Sequence, residues 1–146
     1  MTGNNDKTNQ GAAEAPLFFK GTYDEAFELL VEARNYVEHH VPAFKYSNDP
    51  PDPVAMTKET LRLTSRLTQV MAWLMAQRAL QEGEIAEDEF VEDKYRLEGH
   101  DICLKRAFED LDDLPDGLYD LMNRSYSLYS RINRLDEQFV GDKKKN

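Results

Sequence analysis

One cysteine, Cys103, stands in the whole chain. An internal disulfide is therefore excluded, and a cysteine-based zinc cluster falls with it. The 7 glycines are scattered, so no closely spaced set forms a phosphate-cradling loop. Positive charge is scarce: Lys plus Arg is 18 against 28 for Asp plus Glu, a formal charge of −10. Non-specific attachment to nucleic acid or to an anionic membrane needs a cationic face, and this balance argues against both. Long apolar runs are missing too. The longest is about 11 residues, well short of a bilayer span, so no membrane insertion is expected. The opening MTGNNDKTNQ lacks the apolar core of a secretory signal. The expected setting is the cytoplasm.

Catalytic groupings are equally thin. His39 and His40 are sequence neighbours, so on a helix they point about 100° apart and do not pair on one ligand. Neither a Glu-x-x-His nor a His-x-x-x-His pair occurs, which removes the common helical metal motifs. Cys103 sits in acidic surroundings that raise a thiol pKa, and it reads as inert and half-buried. The many carboxylates lie in polar runs, whereas an acid/base pair needs one buried member with a shifted pKa. No catalytic residue, no metal and no cofactor is expected.

What the sequence does have is helix. Residues 61–83, LRLTSRLTQVMAWLMAQRALQEG, are too apolar for one buried face: between Val70 and Leu80 only Gln77 and Arg78 are polar. A surface helix in a small domain shows an apolar stripe of about 100°. A girdle this wide needs cover from more than one side, so the segment predicts a central helix, a subunit interface, or both. The chain's 146 residues fit one domain with a real core. We divide it into a disordered tail (1–16), a bundle domain (17–140) and a short basic tail (141–146).

A first helix is predicted from about Tyr23 to His40, opened by a capping box at Thr22–Glu25. Its seam is Tyr23, Phe27, Leu30, Arg34, Val37, Val41 and Phe44, in alternating steps of four and three. Arg34 is its polar member. Either it snorkels, or the seam drifts off the core there, or it pairs with a carboxylate and fixes register. Ser47–Pro53 cannot be helix. A second helix is predicted from Val54 to Glu82, stopped by Gly83, with the seam Met56, Thr60, Leu63, Leu67, Val70, Leu74 and Gln77. Residues 84–113 are strongly acidic, with marginal helices near Ile85–Tyr95 and His100–Leu111, and form a long connection of the kind that is usually functional or mobile. A third helix starts at Pro115 and reaches about Phe139, with the seam Leu118, Leu121, Ser125, Leu128, Ile132, Leu135 and Phe139. No period-two strand pattern persists. The fold class is all-α: an antiparallel three-helix bundle with a long acidic connection between helices two and three.

The apolar surface around Trp73 predicts a homodimer through the second helix, seamed on Leu67, Met71, Trp73, Leu74 and Met75. Arg62, Arg66 and Arg78 flank that band, as solubilising residues or as the polar rim of an interface. With the acidic Glu87, Asp88 and Glu89 they make up the expected partner surface. Tyr119, Tyr126 and Tyr129 on the third helix read as core packing rather than as an aromatic binding surface.

The run Arg62-Leu-Thr-Ser-Arg66-Leu-Thr-Gln-Val-Met-Ala-Trp73-Leu-Met-Ala-Gln77-Arg78-Ala, with Gly83-Glu84 after it, resembles the family named regulator of CtrA degradation, also circulated as a domain of unknown function. So does the closing run from Leu114-Pro-Asp-Gly-Leu-Tyr to Arg131-Ile-Asn-Arg134-Leu-Asp. The resemblance covers about residues 20–138. It implies a dimeric three-helix bundle of alphaproteobacteria and a non-enzymatic adaptor in cell-cycle-regulated proteolysis. Such a protein helps deliver substrates, a master response regulator among them, to the ClpXP protease together with companion adaptors, at the cell pole. Members can carry an extended flexible C-terminal tail; here only a few residues follow Phe139. Two other classes compare poorly. A DNA-binding regulator needs a recognition helix with basic and amide side chains, and the second helix presents Met, Trp and Ala. An enzyme built in the bundle core needs inward carboxylates or histidines, and the seams hold almost none. A helical dimerising module, in transcription regulation or general protein interaction, is the alternative.

Overall fold

The computed structural model describes residues 6–105 and 114–145, with side chains over 20–105 and 114–141. Helices account for every regular element among them: α1 (Asp6–His39), a 3-10 helix (Val41–Tyr46), α2 (Pro53–Gln81), the short α3 (Glu87–Phe90), a 3-10 turn (Asp93–Tyr95), the short α4 (His100–Cys103) and α5 (Asp116–Lys145). The three long helices share one core. Glu25 pairs with Arg131 and Glu32 with Arg124, so α1 and α5 run in opposite directions.

α2 follows its sequence signals closely. Asp52 caps its start, its Oδ1 accepting from Val54 N at 3.3 Å, and Pro53 occupies the first position, where a missing N–H costs nothing. Gly83 ends it at φ +76. Glu84 N donates to Ala79 O at 2.8 Å and Gly83 N to Leu80 O at 3.2 Å. This double closure requires the left-handed residue that glycine supplies. The predicted seam is inside: Met56, Leu63, Leu67, Val70, Leu74 and Gln77 are buried and Thr60 half-buried. α5 likewise buries Leu118, Leu121, Ser125, Leu128 and Ile132.

α1 differs from its reading. It is helical over Asp6–His39, so Thr22 lies within the helix rather than at its start. The tail expected over 1–16 falls partly outside the described residues. The buried face is Ala26, Leu29 and Ala33, while Phe27 is 50% exposed. The seam thus sits about one residue off the heptad of large side chains, because small alanines let α1 lie close to its neighbours. Arg34 is exposed beside Glu38 at 3.9 Å; the seam drifts off the core there.

α1 and α5 pack tightly at Gly117, where a Cβ would stand 2.6 Å from Tyr36 Cε2. An aromatic ring wedged against Phe44 and His40 cannot swing aside freely. Gly117→Ala is expected to destabilise the fold by about 1–3 kcal/mol through overpacking, despite the better helix propensity of alanine. A thermal melt at or above the parent midpoint would contradict this.

Candidate functional site

α2 carries a second buried stripe: Glu59, Arg62, Arg66, Gln69 and Trp73, again in steps of three and four. Four of these are buried and Gln69 is half-buried. The segment from α3 to Lys105 lies on this stripe, and side chains of α2 and α5 hold it by its main chain. Arg62 Nε donates to Ile102 O at 3.0 Å, while its Nη1 meets both Glu59 oxygens at 2.5 and 2.6 Å. Arg66 spreads over four acceptors: Cys103 O at 2.8 Å, Lys105 O at 2.9 Å, Met122 O at 3.0 Å and Ser125 Oγ at 3.2 Å. Tyr129 donates to Glu98 O at 2.6 Å, and Glu98 N donates to Gln69 Oε1 at 3.0 Å. Burial, then the neighbouring Arg62, pulls the Arg66 pKa down to about 10. That still leaves it charged at neutral pH, so the carbonyl fan is what offsets the desolvation of the guanidinium.

A second anchor is Asp136 of α5. Its Oδ1 accepts from Trp73 Nε1 at 2.8 Å and lies 3.0 Å from Arg96 Nη1, and its Oδ2 accepts from Leu97 N at 3.2 Å. Around it Trp73, Phe90 and Phe139 meet edge to face, with centroids 5.5–6.1 Å apart.

These contacts correct the sequence reading at named positions. Leu67, Trp73 and Leu74 are at most 2% exposed within the single chain. The girdle does have cover from a second side, but α3 and the following turn provide it through Phe90 and Leu97. Met71 is half-buried, and Met75 alone of the five stands out, at 59% exposed. Arg62 and Arg66 are not a partner surface; they are buried pins. Arg78 is exposed and paired with Glu82 at 3.1 Å. Glu87 and Asp88 are exposed and Glu89 is half-buried on α3. Tyr129 is buried in the core, Tyr126 lies against the Arg66 guanidinium at 5.3 Å, and Tyr119 is 42% exposed. Cys103 is fully buried rather than half-buried, and burial raises its thiol pKa against the pull of Arg66, which makes it a poor nucleophile. Sequence reasoning missed the pinned stripe and Asp136. The available signal was the three-and-four spacing of Glu59, Arg62, Arg66 and Trp73.

A third stripe of α2 is left open: Leu61, Ser65, Thr68, Ala72 and Met75. Leu61 is 62% exposed. Between Lys58 and Arg78 the charged residues of α2 are Glu59, Arg62 and Arg66, all buried. The solvent face over those turns therefore carries no charge, in a molecule of charge −10. Among the described residues no group of three or more His, Cys, Asp or Glu side chains could hold a metal ion, and no helix is long and apolar enough to cross a membrane.

The described residues form an all-helical fold that leaves an uncharged face of α2 open. The chain belongs to the family described as protein of unknown function (DUF1465), whose model matches residues 11–146. Its structure is similar to the crystal structure of RcdA from Caulobacter crescentus CB15, with a TM-score of 0.63 and 30% sequence identity, covering 83% of this chain and 89% of that one. No curated protein matches the sequence.

Proposed function

We propose that this protein is a non-enzymatic adaptor in regulated proteolysis, which helps deliver substrates such as a response regulator to the ClpXP protease in the cytoplasm, at the cell pole. The observation that carries the reading is the similarity to RcdA over most of both chains, joined to the family resemblance in α2 and α5. The physical mechanism is effective concentration. One face holds cargo and another holds the protease or its companion adaptors, so engagement becomes intramolecular without new chemistry. The test is reconstituted degradation with ClpXP, companion adaptors and a response-regulator substrate. Substrate loss should accelerate and saturate with added protein while the protein itself survives. No acceleration, with the companions active on another substrate, would sink the reading.

We place the homodimer of this reading on the open stripe of α2. Two molecules of charge −10 repel, and an uncharged face is where they can meet without burying unpaired charge. An antiparallel two-fold pairing centred on Thr68 sets Leu61 of one copy against Met75 of the other, with Thr64 against Ala72. Small side chains at the crossing let the helices approach. Met75→Asp is expected to give a monomer by light scattering with the melting temperature of the protomer core retained. A dimer unchanged by Met75→Asp would move the interface elsewhere.

A further inference from the structure

Six exposed side chains of α1 fall on one line: Lys20, Asp24, Phe27, Val31, Arg34 and Glu38. Their steps are four, three, four, three and four, so they share one face of the helix over about 27 Å. α1 gives a different face to its own core, through Ala26, Leu29 and Ala33. It gives another to α5, where Glu25 and Glu32 meet Arg131 and Arg124. At the middle of the line Phe27 is 50% and Val31 41% exposed. One helical turn apart, they form a single small apolar patch. The Phe27 ring is already held in place, stacked on Tyr23 with centroids 6.4 Å apart.

The order of the charges selects what can cover this patch. From its N-terminal end the line runs cation, anion, apolar, apolar, cation, anion. Reversed, it runs anion, cation, apolar, apolar, anion, cation, which is its own complement. A second copy of α1 laid antiparallel, with the two-fold axis level with Leu29, sets Lys20 against Glu38, Asp24 against Arg34 and Phe27 against Val31. Two-fold symmetry makes each contact twice. A parallel pairing sets every charge against its own kind. Sliding one antiparallel copy by about a helical turn sets Lys20 against Arg34 in one direction and Asp24 against Glu38 in the other, like charges both times. The pattern therefore fixes partner, direction and register together, by attraction in one arrangement and repulsion in its neighbours. The line also carries no net charge, in a molecule of charge −10, so pairing on it brings no excess of like charge together. Within the single chain these charges are lightly committed. Arg34 reaches Glu38 only at 3.9 Å, with the two side chains 79% and 56% exposed. Lys20 and Asp24 have no ion pair among the described residues. Glu28 stands on the flank, outside the line.

We propose that α1 carries a self-recognition face, on which two copies of the chain pair antiparallel about Leu29. One helix from each copy is a small contact beside a standard protein interface. The pairing therefore forms in concentrated solution, or where another contact already holds copies together. It shares no residue with the open stripe of α2 and does not rest on the proteolytic reading. With both faces engaged, the assembly grows beyond a dimer.

The test is sedimentation velocity of the full chain over rising concentration, in a Met75→Asp background that disables the α2 face. Association is expected at high concentration. Adding Asp24→Arg should weaken it at least about tenfold, since two cations then oppose each other at two places in the pair. Adding Arg34→Asp should do the same with carboxylates. Each of these variants repels itself, yet an equimolar mixture of the two should associate as tightly as Met75→Asp alone, because the cations of one copy meet the carboxylates of the other. Phe27→Asp should abolish association. Melting curves should not move, all three positions being exposed. No association up to the solubility limit, association indifferent to Asp24→Arg and Arg34→Asp, or a mixture no tighter than its components overturns the proposal. A dimer that persists in the Met75→Asp background at low concentration and is lost on Asp24→Arg would uphold the α1 face and remove the placement on α2.

Discussion

Replacing Arg66 with alanine is expected to cost about 3–5 kcal/mol of folding stability, the range for breaking a buried, hydrogen-bonded charge site. The side chain is 1% exposed and holds four acceptors drawn from two parts of the chain, the α4 region and α5. Its loss leaves carbonyls of the α4 region without donors and a cavity beneath them. Arg66→Lys should recover little, because a single ammonium cannot span a fan set by a planar guanidinium. Arg66→Met should cost less than alanine, since it fills the space without a buried charge. Urea unfolding gives the magnitude. Hydrogen exchange gives the location, with protection lost first over residues 99–105. A loss below about 1 kcal/mol would show that the pins are incidental.

Trp73→Ala should cost about 3–5 kcal/mol as well, by cavity formation, and should leave the oligomeric state unchanged. Trp73 packs edge to face on Phe90 and Phe139 and donates to Asp136. Its removal opens the core under α3 and strips one of the groups that keep the Asp136 carboxylate satisfied. Asp136→Asn separates the two effects: it keeps the packing but gives up the ion pair with Arg96 and one strong acceptor. That variant should lose less stability than Trp73→Ala. Calorimetry with light scattering decides the matter. If Trp73→Ala yielded monomers from a dimer while melting stayed unchanged, Trp73 would be an interface residue after all.

The contrast between these residues shows what the sequence could convey. The α2 seam from Met56 to Gln77 was legible position by position, because every member before Gln77 is apolar or small and the period is regular. Its C-terminal end was legible for the same kind of reason, because Gly83 acts through local backbone chemistry that sequence states directly; its start lies one residue before the expected Val54, since Pro53 is a first helical residue capped by Asp52. The α1 seam was misplaced by about one residue, because Phe27 and Leu30 outweigh Ala26 and Ala33 in any pattern ranked by size, while close packing favours the alanines. The arginine stripe was not legible as a buried face. Arginine in a helix reads as solvated, and its acceptors here are carbonyls at Ile102, Cys103 and Lys105, which every residue type possesses. The candidate homodimer positions rest on a related ambiguity. A girdle that needs cover does not say whether a second molecule or the chain's own connection supplies it, and Phe90 and Leu97 lie in a strongly acidic connection with no regular apolar period.

The grip on the connection has a consequence for how its surface can change. Arg62, Arg66, Tyr129, Gln69 and Asp136 hold the carbonyls of Glu98, Ile102, Cys103 and Lys105 and the amides of Leu97 and Glu98. The exposed side chains at Glu98, His100, Asp101, Ile102 and Lys105 are outside that grip, apart from the contact of His100 with Asn133. The segment resembles a mounting rail whose fasteners sit behind it. What is displayed on the front can be exchanged residue by residue, proline excepted at the amides, without loosening the rail. Related chains could therefore present different chemistry to different partners on the same scaffold.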